Sequence, residues 1–341
     1  MLANFKKVGV AAAVAAALGA SGAAQAVIQG TPGDALLIPY VATNGAGKFN
    51  TMISIISASP TNVNVGQFRT LTPGTKTSDS CKGKIHWYFF DKSSVEIVDD
   101  KIDVTCDDWV GLDFGSIIAA KSLPSALDVP GYMVITDASA NATKASGMIL
   151  YGAAYQINGN WASQAYIPVL PMIDDVDTAS RDEVRHLSDA FLDDANPVTA
   201  GMLLASAPGQ TSFFSLRYYL QKTDPTGDTS FVLWFPDNND ARSTQTVLVF
   251  NADEVAISAR TSIPYELNVL KVATDATTGA LHTGVIKDGL ADTGFVEFGV
   301  SDFPADTTPY SRAGVAFSLI GVNGAGTDQT QTELAHERGV K

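Results

Sequence analysis

With 341 residues, 45% of them hydrophobic and 17% charged, the chain is long enough to bury one large core or two smaller ones. Its 36 acidic residues against 22 basic ones give a formal net charge of −14, which repels phosphate backbones and argues against DNA or RNA as a partner. Beyond the N-terminus no stretch approaches the run of about 18 apolar residues that a spanning helix requires.

The first residues read as a secretory signal peptide. Lys6 and Lys7 make a basic start, residues 8–20 are apolar, and Ala24-Gln25-Ala26 is a small-x-small cleavage site. The alternative, a membrane anchor, suits the segment poorly because its apolar part is short and rich in Ala and Gly. Cleavage would leave a chain starting near Val27. It would remove two lysines and no acid, so the formal charge moves from −14 to −16. That acidity suits an exported chain, either for solubility or for binding divalent cations.

Short apolar or alternating runs then follow one another, separated by Gly, Pro, Asn, Asp and Ser. Strands are expected at 35–40, 51–57, 85–90, 109–114, 132–136, 148–157 and 162–169. A second set is expected at 212–220, 230–235, 244–250, 267–272, 295–300 and 315–320. Asn158-Gly159-Asn160 stands between two of these runs and predicts a tight hairpin turn. Between the two sets, Val184, Leu187 and Phe191 recur at three- and four-residue steps, Ser180 and Glu183 fit a capping box, and Pro197 stops the pattern. This predicts a helix over 181–193.

The expected fold is mainly β: one or two antiparallel β-sandwich units, Ig-like or jelly-roll-like, with one short helix between the strand sets. The expected units are 27–177 and 201–327, joined by a connector at 178–200. The polar stretch 328–341 is expected to fray. Asn44-Gly45-Ala46-Gly47 and Asn323-Gly324-Ala325-Gly326 are identical tetrapeptides. Both suit turns, where Asn and Gly accept positive φ; the match reads as a product of composition, with a true internal repeat as the alternative.

Cys81 and Cys106 are the only cysteines. In an oxidising compartment two thiols pair, and neither the spacing nor the neighbouring residues resemble a metal or redox motif. Ile85, Trp87 and Phe89 share the parity of Cys81, and Ile102 and Val104 that of Cys106. Both sulfurs are therefore expected on the buried face of flanking strands. The bond would contribute roughly 3–4 kcal/mol in the chain-entropy model.

Catalytic signatures of the serine hydrolase, zinc protease and P-loop kinds are absent from the sequence. Of the histidines, His86 is expected at a surface or rim. His186 lies on the polar face of the predicted helix, and His282 and His336 are isolated. Asp174, Asp175 and Asp177 cluster before that helix, and Asp189, Asp193 and Asp194 at its end. Asp237, Asn238, Asn239 and Asp240 form a loop offering two carboxylates and two amide oxygens. The 174–177 and 237–240 groups are candidate ligands for a hard cation such as Ca²⁺, against the ordinary use of Asp and Asn in turns. For stacking on a sugar ring, Trp161 after the hairpin turn is the candidate. Trp87 has a core-like position, and Trp234 is a further available tryptophan.

Gly33-Asp34-Ala35-Leu36-Leu37-Ile38-Pro39-Tyr40, followed by Asn50-Thr51-Met52-Ile53-Ser54-Ile55-Ile56-Ser57, resembles the mature start of a group of uncharacterised exported proteins of Gram-negative bacteria. These open on Gly-Asp-Val-Leu-Leu-x-Pro-Tyr-Tyr. Ala35 replaces the usual Val and Val41 the second Tyr. The segments 131–137 and 231–240 are also similar. The resemblance implies export and a surface or periplasmic setting, and carries no activity.

The expectation is therefore a secreted or cell-surface structural, adhesive or assembly protein without catalysis, partnered by itself or by other surface components. A carbohydrate-binding or glycan-active protein is the alternative, and would show exposed aromatics in a row on one sheet face or cleft. A further alternative is an outer-membrane β-barrel. One assembly route would have the strand at 35–40, unheld in its own domain, add to a neighbour's sheet edge.

Overall fold

The computed structural model describes residues 33, 35–44, 49–58, 83–105, 107–138, 148–158, 163–172, 204–205, 213–219, 229–235, 245–251, 253, 255–271, 293–299, 313–324, 327–334 and 336–338. In chain order the first part holds β1 (Ala35–Val41), β2 (Phe49–Ala58), β3 (Gly83–Asp91), β4 (Glu96–Val104) and β5 (Asp108–Asp113). There follow helix α1 (Phe114–Ala120), a 3₁₀ turn (Pro124–Ala126), β6 (Gly131–Asp137), β7 (Ile149–Asn158), β8 (Ser163–Ile167) and β9 (Leu170–Met172). The second part holds β10 (Leu204–Ala205), β11 (Phe213–Tyr219), β12 (Thr229–Trp234), β13 (Gln245–Asn251) and β14 (Ala256–Thr261). It ends with β15 (Leu267–Lys271), β16 (Thr293–Gly299), β17 (Ala313–Gly324), β18 (Thr327–Leu334) and β19 (His336–Arg338).

Among the described residues all pairings are antiparallel, and they build four open sheets. Sheet I has the order β5-β2-β7-β8, and sheet II β4-β3-β6-β1-β9. Sheet III runs β15-β12-β17-β18, with β10 also against β17, and sheet IV runs β14-β13-β16-β11-β19. The fold is thus mainly β and sandwich-like. Its described strands do not close into the barrel held as an alternative.

Face to face the sheets follow the order I, II, III, IV, and edge strand β18 of sheet III also comes against β8 and β7 of sheet I. Side chains of sheets I and II share one buried cluster with Val232, Trp234, Leu267, Val315, Phe317 and Leu319 of sheet III. The opposite face of sheet III, with Phe231, Leu233, Phe235 and Ala316, packs with sheet IV. Sheets II and III are therefore covered on both faces, which is why β1 (ALLIPYV) and β6 (GYMVITD) are apolar at both parities and buried throughout. The seam between II and III is pinned by polar contacts as well. The Tyr132 hydroxyl donates to Glu266 at 2.7 Å, Ser94 also bonds Glu266, and Leu267 N donates to Lys92 O at 3.3 Å.

The two sandwiches have the same wiring. Adding ten to each strand number converts the order of sheet I into that of sheet III and the order of sheet II into that of sheet IV; β10 is the one extra strand among the described residues. Individual residues repeat as well. Thr51 accepts from Ala42 N and donates to Ala42 O, both at 2.9 Å, and Thr229 does the same with Tyr219 at 2.9 Å. Asp91 caps the β3–β4 turn by accepting from Ser93 N and Val95 N, as Asn251 caps the β13–β14 turn by accepting from Asp253 N and Val255 N. Gly131 lies so close to the Phe90 carbonyl that a Cβ would stand 2.1 Å from it, and at Gly294 the distance to the Phe250 carbonyl would be 2.0 Å. The matching tetrapeptides do not mark this duplication. One spans the β1–β2 connection and the other the β17–β18 connection, which are not equivalent.

Each strand expected from the sequence is present within a few residues. The edge strand β4 was not anticipated, nor were β9, β10 and β14. The polar stretch expected to fray forms β18 and β19 instead, because the backbone of β17 and β11 offers unpaired groups to any adjacent extended segment. The hairpin at Asn158 forms with a four-residue connection, since Asn158 pairs with Ser163. β1 is held between β6 and β9, which removes the route by which it would serve a neighbour. The signal segment, Cys81, Cys106 and the predicted helix at 181–193 lie outside the described residues.

Candidate functional site: the outer face of sheet I

Among the described residues sheet I is the outermost layer on its side, and the alternation of β5 decides what this end of it shows; outward-facing Ala58, Ile149 and Ile157 are buried. Leu112 faces the core, Val110 packs partly buried against it, and Trp109, Gly111 and Asp113 face out. Register places Trp109 opposite Ile56, and Ile56 opposite Tyr151. This cross-strand row is open: Trp109 is 65% and Ile56 43% exposed, with Tyr151 half-buried.

Trp109 lies down on the sheet. Its indole N–H donates to Ser54 Oγ at 2.7 Å, and a Cβ on Gly111 would stand 2.8 Å from the ring. One ring face therefore covers glycine backbone while the other stays open. The next row is Gly111, Ser54 and Ala153, all small. Beyond it stand Asp113, Met52, Tyr155 and Tyr166, with the two tyrosine rings edge-on at 5.9 Å. The two bulky rows are four residues apart along the strands, about 13 Å, and flank a shallow trough.

At the Asp113 end the trough meets an open groove of about 530 Å³ between the start of β2, α1 and the 3₁₀ turn. Asp113 is the N-cap of α1, accepting from Ser116 N at 3.0 Å. The Asn50 amide crosslinks this corner, donating to Asp113 at 2.7 Å and accepting from Gly115 N at 2.8 Å. Burial pushes the Asp113 carboxyl up, but the hydrogen bonds from Ser116, Asn50 and Gly115 outweigh it and hold the group below the ordinary carboxylate value. The whole face offers broad apolar and aromatic contact with a charged, hydrogen-bonding corner.

Comparison with family models, curated proteins and solved structures finds no match to this chain.

Other sequence candidates sit elsewhere. His86, expected at a surface or rim, is buried at 5% exposure because sheet II is an inner layer. Its Nδ1 meets the Tyr88 hydroxyl at 2.5 Å and its Nε2 meets Asp99 at 2.7 Å. Tyr88 is 1% exposed, so this Tyr–His–Asp line ties β3 to β4 and reaches solvent through Asp99 alone. Trp87 is buried, as its position predicted, and so is Trp234. Trp161, Asp174, Asp175, Asp177, Asp237, Asn238, Asn239 and Asp240 lie outside the described residues, as do His186 and His282. His336 lies on β19, opposite Ser215. Trp109 was missed by sequence reasoning, yet its signal was present. In Trp109-Val110-Gly111-Leu112-Asp113-Phe114 the apolar parity belongs to Val110, Leu112 and Phe114, which turns the tryptophan outward.

Proposed function

We propose that the chain is an exported protein of the bacterial surface or periplasm that works by contact, in a structural, adhesive or assembly role, through the outer face of sheet I. The observation that carries this reading is Trp109, laid on Gly111 with one ring face open and continued by Ile56 and Tyr151 into an exposed row. Large apolar side chains held rigid on a flat outer face favour a binding surface over an ordinary solvated one. The signal segment supports export. A Cys81–Cys106 disulfide fits the same setting. β3 and β4 pair Gly83 with Val104 and Lys84 with Asp103, a register that, continued, sets 81 against 106. Alkylation before and after reduction, read by mass spectrometry, tests the bond.

Retention on the isolated cell envelope tests the function. The native chain is expected to be retained and Trp109→Ala to be lost into the supernatant. Equal retention of the two would sink the proposed role of this face.

A second reading, glycan binding, is favoured by the open indole face beside a polar groove, since a sugar ring stacks its apolar face on such a ring. Retardation in gels cast with polysaccharides, abolished by Trp109→Ala, would support it. Unaltered mobility across the panel would remove it.

A further inference from the structure

We propose that the Trp109 ring and the groove beside Asp113 form one cleft for a glycan chain bearing free amino groups, with one sugar ring stacked on the indole and the ammonium of its neighbour seated on the Asp113 carboxylate. This rests on the glycan reading of the sheet I face and adds the class of sugar.

The strip that such a chain would follow is open. Along edge strand β5, Trp109 and Gly111 are exposed and Asp113 is partly so, and beyond it Ser116, Ala119 and Ser122 are exposed as well. The buried outward residues of sheet I lie on β2 and β7, not on β5. Trp109, Gly111 and Asp113 share one face by alternation. The indole leans over Gly111, which stands two residues, about 7 Å, from Asp113. A pyranose on the ring therefore leaves its neighbour within reach of the carboxylate, and an extended β-1,4-linked chain lies flat along such a strip.

The duplication shows what this strip has exchanged. Counted from Thr51 and Thr229, Ile56 corresponds to Trp234 and, by register, Tyr151 to Val315. The registers also set Trp109, Gly111 and Asp113 at the positions of Leu267, Val269 and Lys271. Leu267 and Val269 pack in the seam between the sandwiches. A side chain like that of Val269 at position 111 would collide with the indole, because a Cβ there stands 2.8 Å from the ring. The glycine lets the tryptophan lie flat, and a flat indole with one open side is a platform for the C–H face of a sugar.

Charge selects the sugar. The groove has a volume of about 530 Å³, and Asp113 is the one charged side chain among its described lining residues. That volume lies within the range of small-molecule pockets. The carboxylate is held by neutral donors, the Asn50 amide at 2.7 Å and the Ser116 N–H at 3.0 Å, and no cation pairs with it among the described residues. These bonds fix it in place and keep it ionised in mildly acidic solution. A fixed carboxylate without a counter-ion favours an ammonium over a neutral hydroxyl or acetamide, and repels a uronate.

Isothermal titration with the β-1,4-linked tetramers of glucosamine and of N-acetylglucosamine tests this, in mildly acidic buffer where the sugar amines are protonated. The native chain is expected to bind the glucosamine tetramer about tenfold more tightly than the acetylated one, the difference that one charge-assisted hydrogen bond makes. Asp113→Asn, which keeps an acceptor for Ser116 and Asn50, is expected to lose that preference and to bind the acetylated tetramer as the native chain does. Trp109→Ala is expected to bind neither. Circular dichroism spectra like that of the native chain confirm that both variants are folded. Equal affinity of the native chain for the two tetramers, or an unaltered preference in Asp113→Asn, overturns the proposal and leaves the glycan reading standing. A native chain that takes up neither tetramer also overturns it, and the polysaccharide gels then decide the glycan reading on their own. Tetralysine carries ammonium groups on a peptide backbone. If it binds as tightly as the glucosamine tetramer, with the same losses in both variants, the cleft is a peptide site and the proposal falls.

Discussion

The two sandwiches share their strand order, their Thr51 and Thr229 crosslinks, their Asp91 and Asn251 turn caps and their Gly131 and Gly294 close approaches, yet they treat one face differently. In sheet III the row Trp234, Leu267 and Val315 is sealed under sheet II, with Trp234 at 0% exposure. In sheet I the equivalent row Ile56, Trp109 and Tyr151 faces out, with Trp109 at 65%. Wiring in each sandwich is held by a few hydrogen-bonded or glycine positions that do not depend on what lies outside. The chemistry of the outer face follows the neighbour. A face that ends the stack and still carries a tryptophan and an isoleucine is therefore informative in a way that the same residues in sheet III are not.

Trp234→Ala should show the largest effect. Removing a fully buried indole from the seam leaves a cavity and costs about 4 kcal/mol, measured as a lowered urea midpoint. Gly131→Ala and Gly294→Ala come next, at about 3 kcal/mol each, because neither Cβ fits beside the Phe90 or Phe250 carbonyl. Comparable losses at both sites would sharpen the claim that the sandwiches are equivalent, and a large loss at only one would break it. Thr51→Val and Thr229→Val should each cost about 2 kcal/mol by stranding a backbone N–H and C=O that the hydroxyl now pairs.

Much of the architecture was legible because burial on two faces writes long apolar runs. Leu36-Leu37-Ile38 of β1 and Phe231-Val232-Leu233-Trp234 of β12 announce themselves as strands. β4 does not, because its positions 96–103 alternate acids and lysine with few apolar residues, the composition of a protected edge. Helix α1 is only seven residues long, too short for a 3.6-residue period to show, so its first residue was read as the end of β5. The duplication escaped because it is carried by single residues, Thr51 and Thr229 or Gly131 and Gly294, separated by loops of unequal length. His86 was misplaced for a tertiary reason: local alternation cannot report that a second sandwich covers the polar-looking face of β3.

The Asp113 corner separates the halves at acid pH. Its counterpart in sheet III is Lys271, opposite Ser230 as Asp113 is opposite Met52, so the capped carboxylate belongs to the first sandwich alone. Asp113→Ala should cost about 1 kcal/mol at neutral pH through loss of the α1 cap. The folded carboxyl titrates below its ordinary value. Its contribution is complete above the unfolded pKa and is lost as the pH falls through the depressed folded one. The stability gap between the native chain and Asp113→Asn should therefore close as the solution is acidified below the ordinary carboxylate range. A gap independent of pH would assign the residue a steric role instead.

The smallest effect on stability is expected from Trp109→Ala, within about 0.5 kcal/mol for the monomer. The comparison turns on this value. Trp109 and Leu267 occupy equivalent positions, and Trp109 matches Trp234 in size, but water already covers most of the Trp109 ring. What truncation removes is contact with Gly111 and the bond to Ser54. Chemical melts at low concentration, where copies are apart, isolate this intrinsic term. Melts at high concentration add any contribution from a partner copy, because a molecule bound only in the native state raises apparent stability by mass action. A Trp109→Ala penalty that grows with protein concentration would tie the exposed row to self-contact. A penalty as large as that of Trp234→Ala at every concentration would mean that sheet I is covered from within, and the difference between the two sandwiches would vanish.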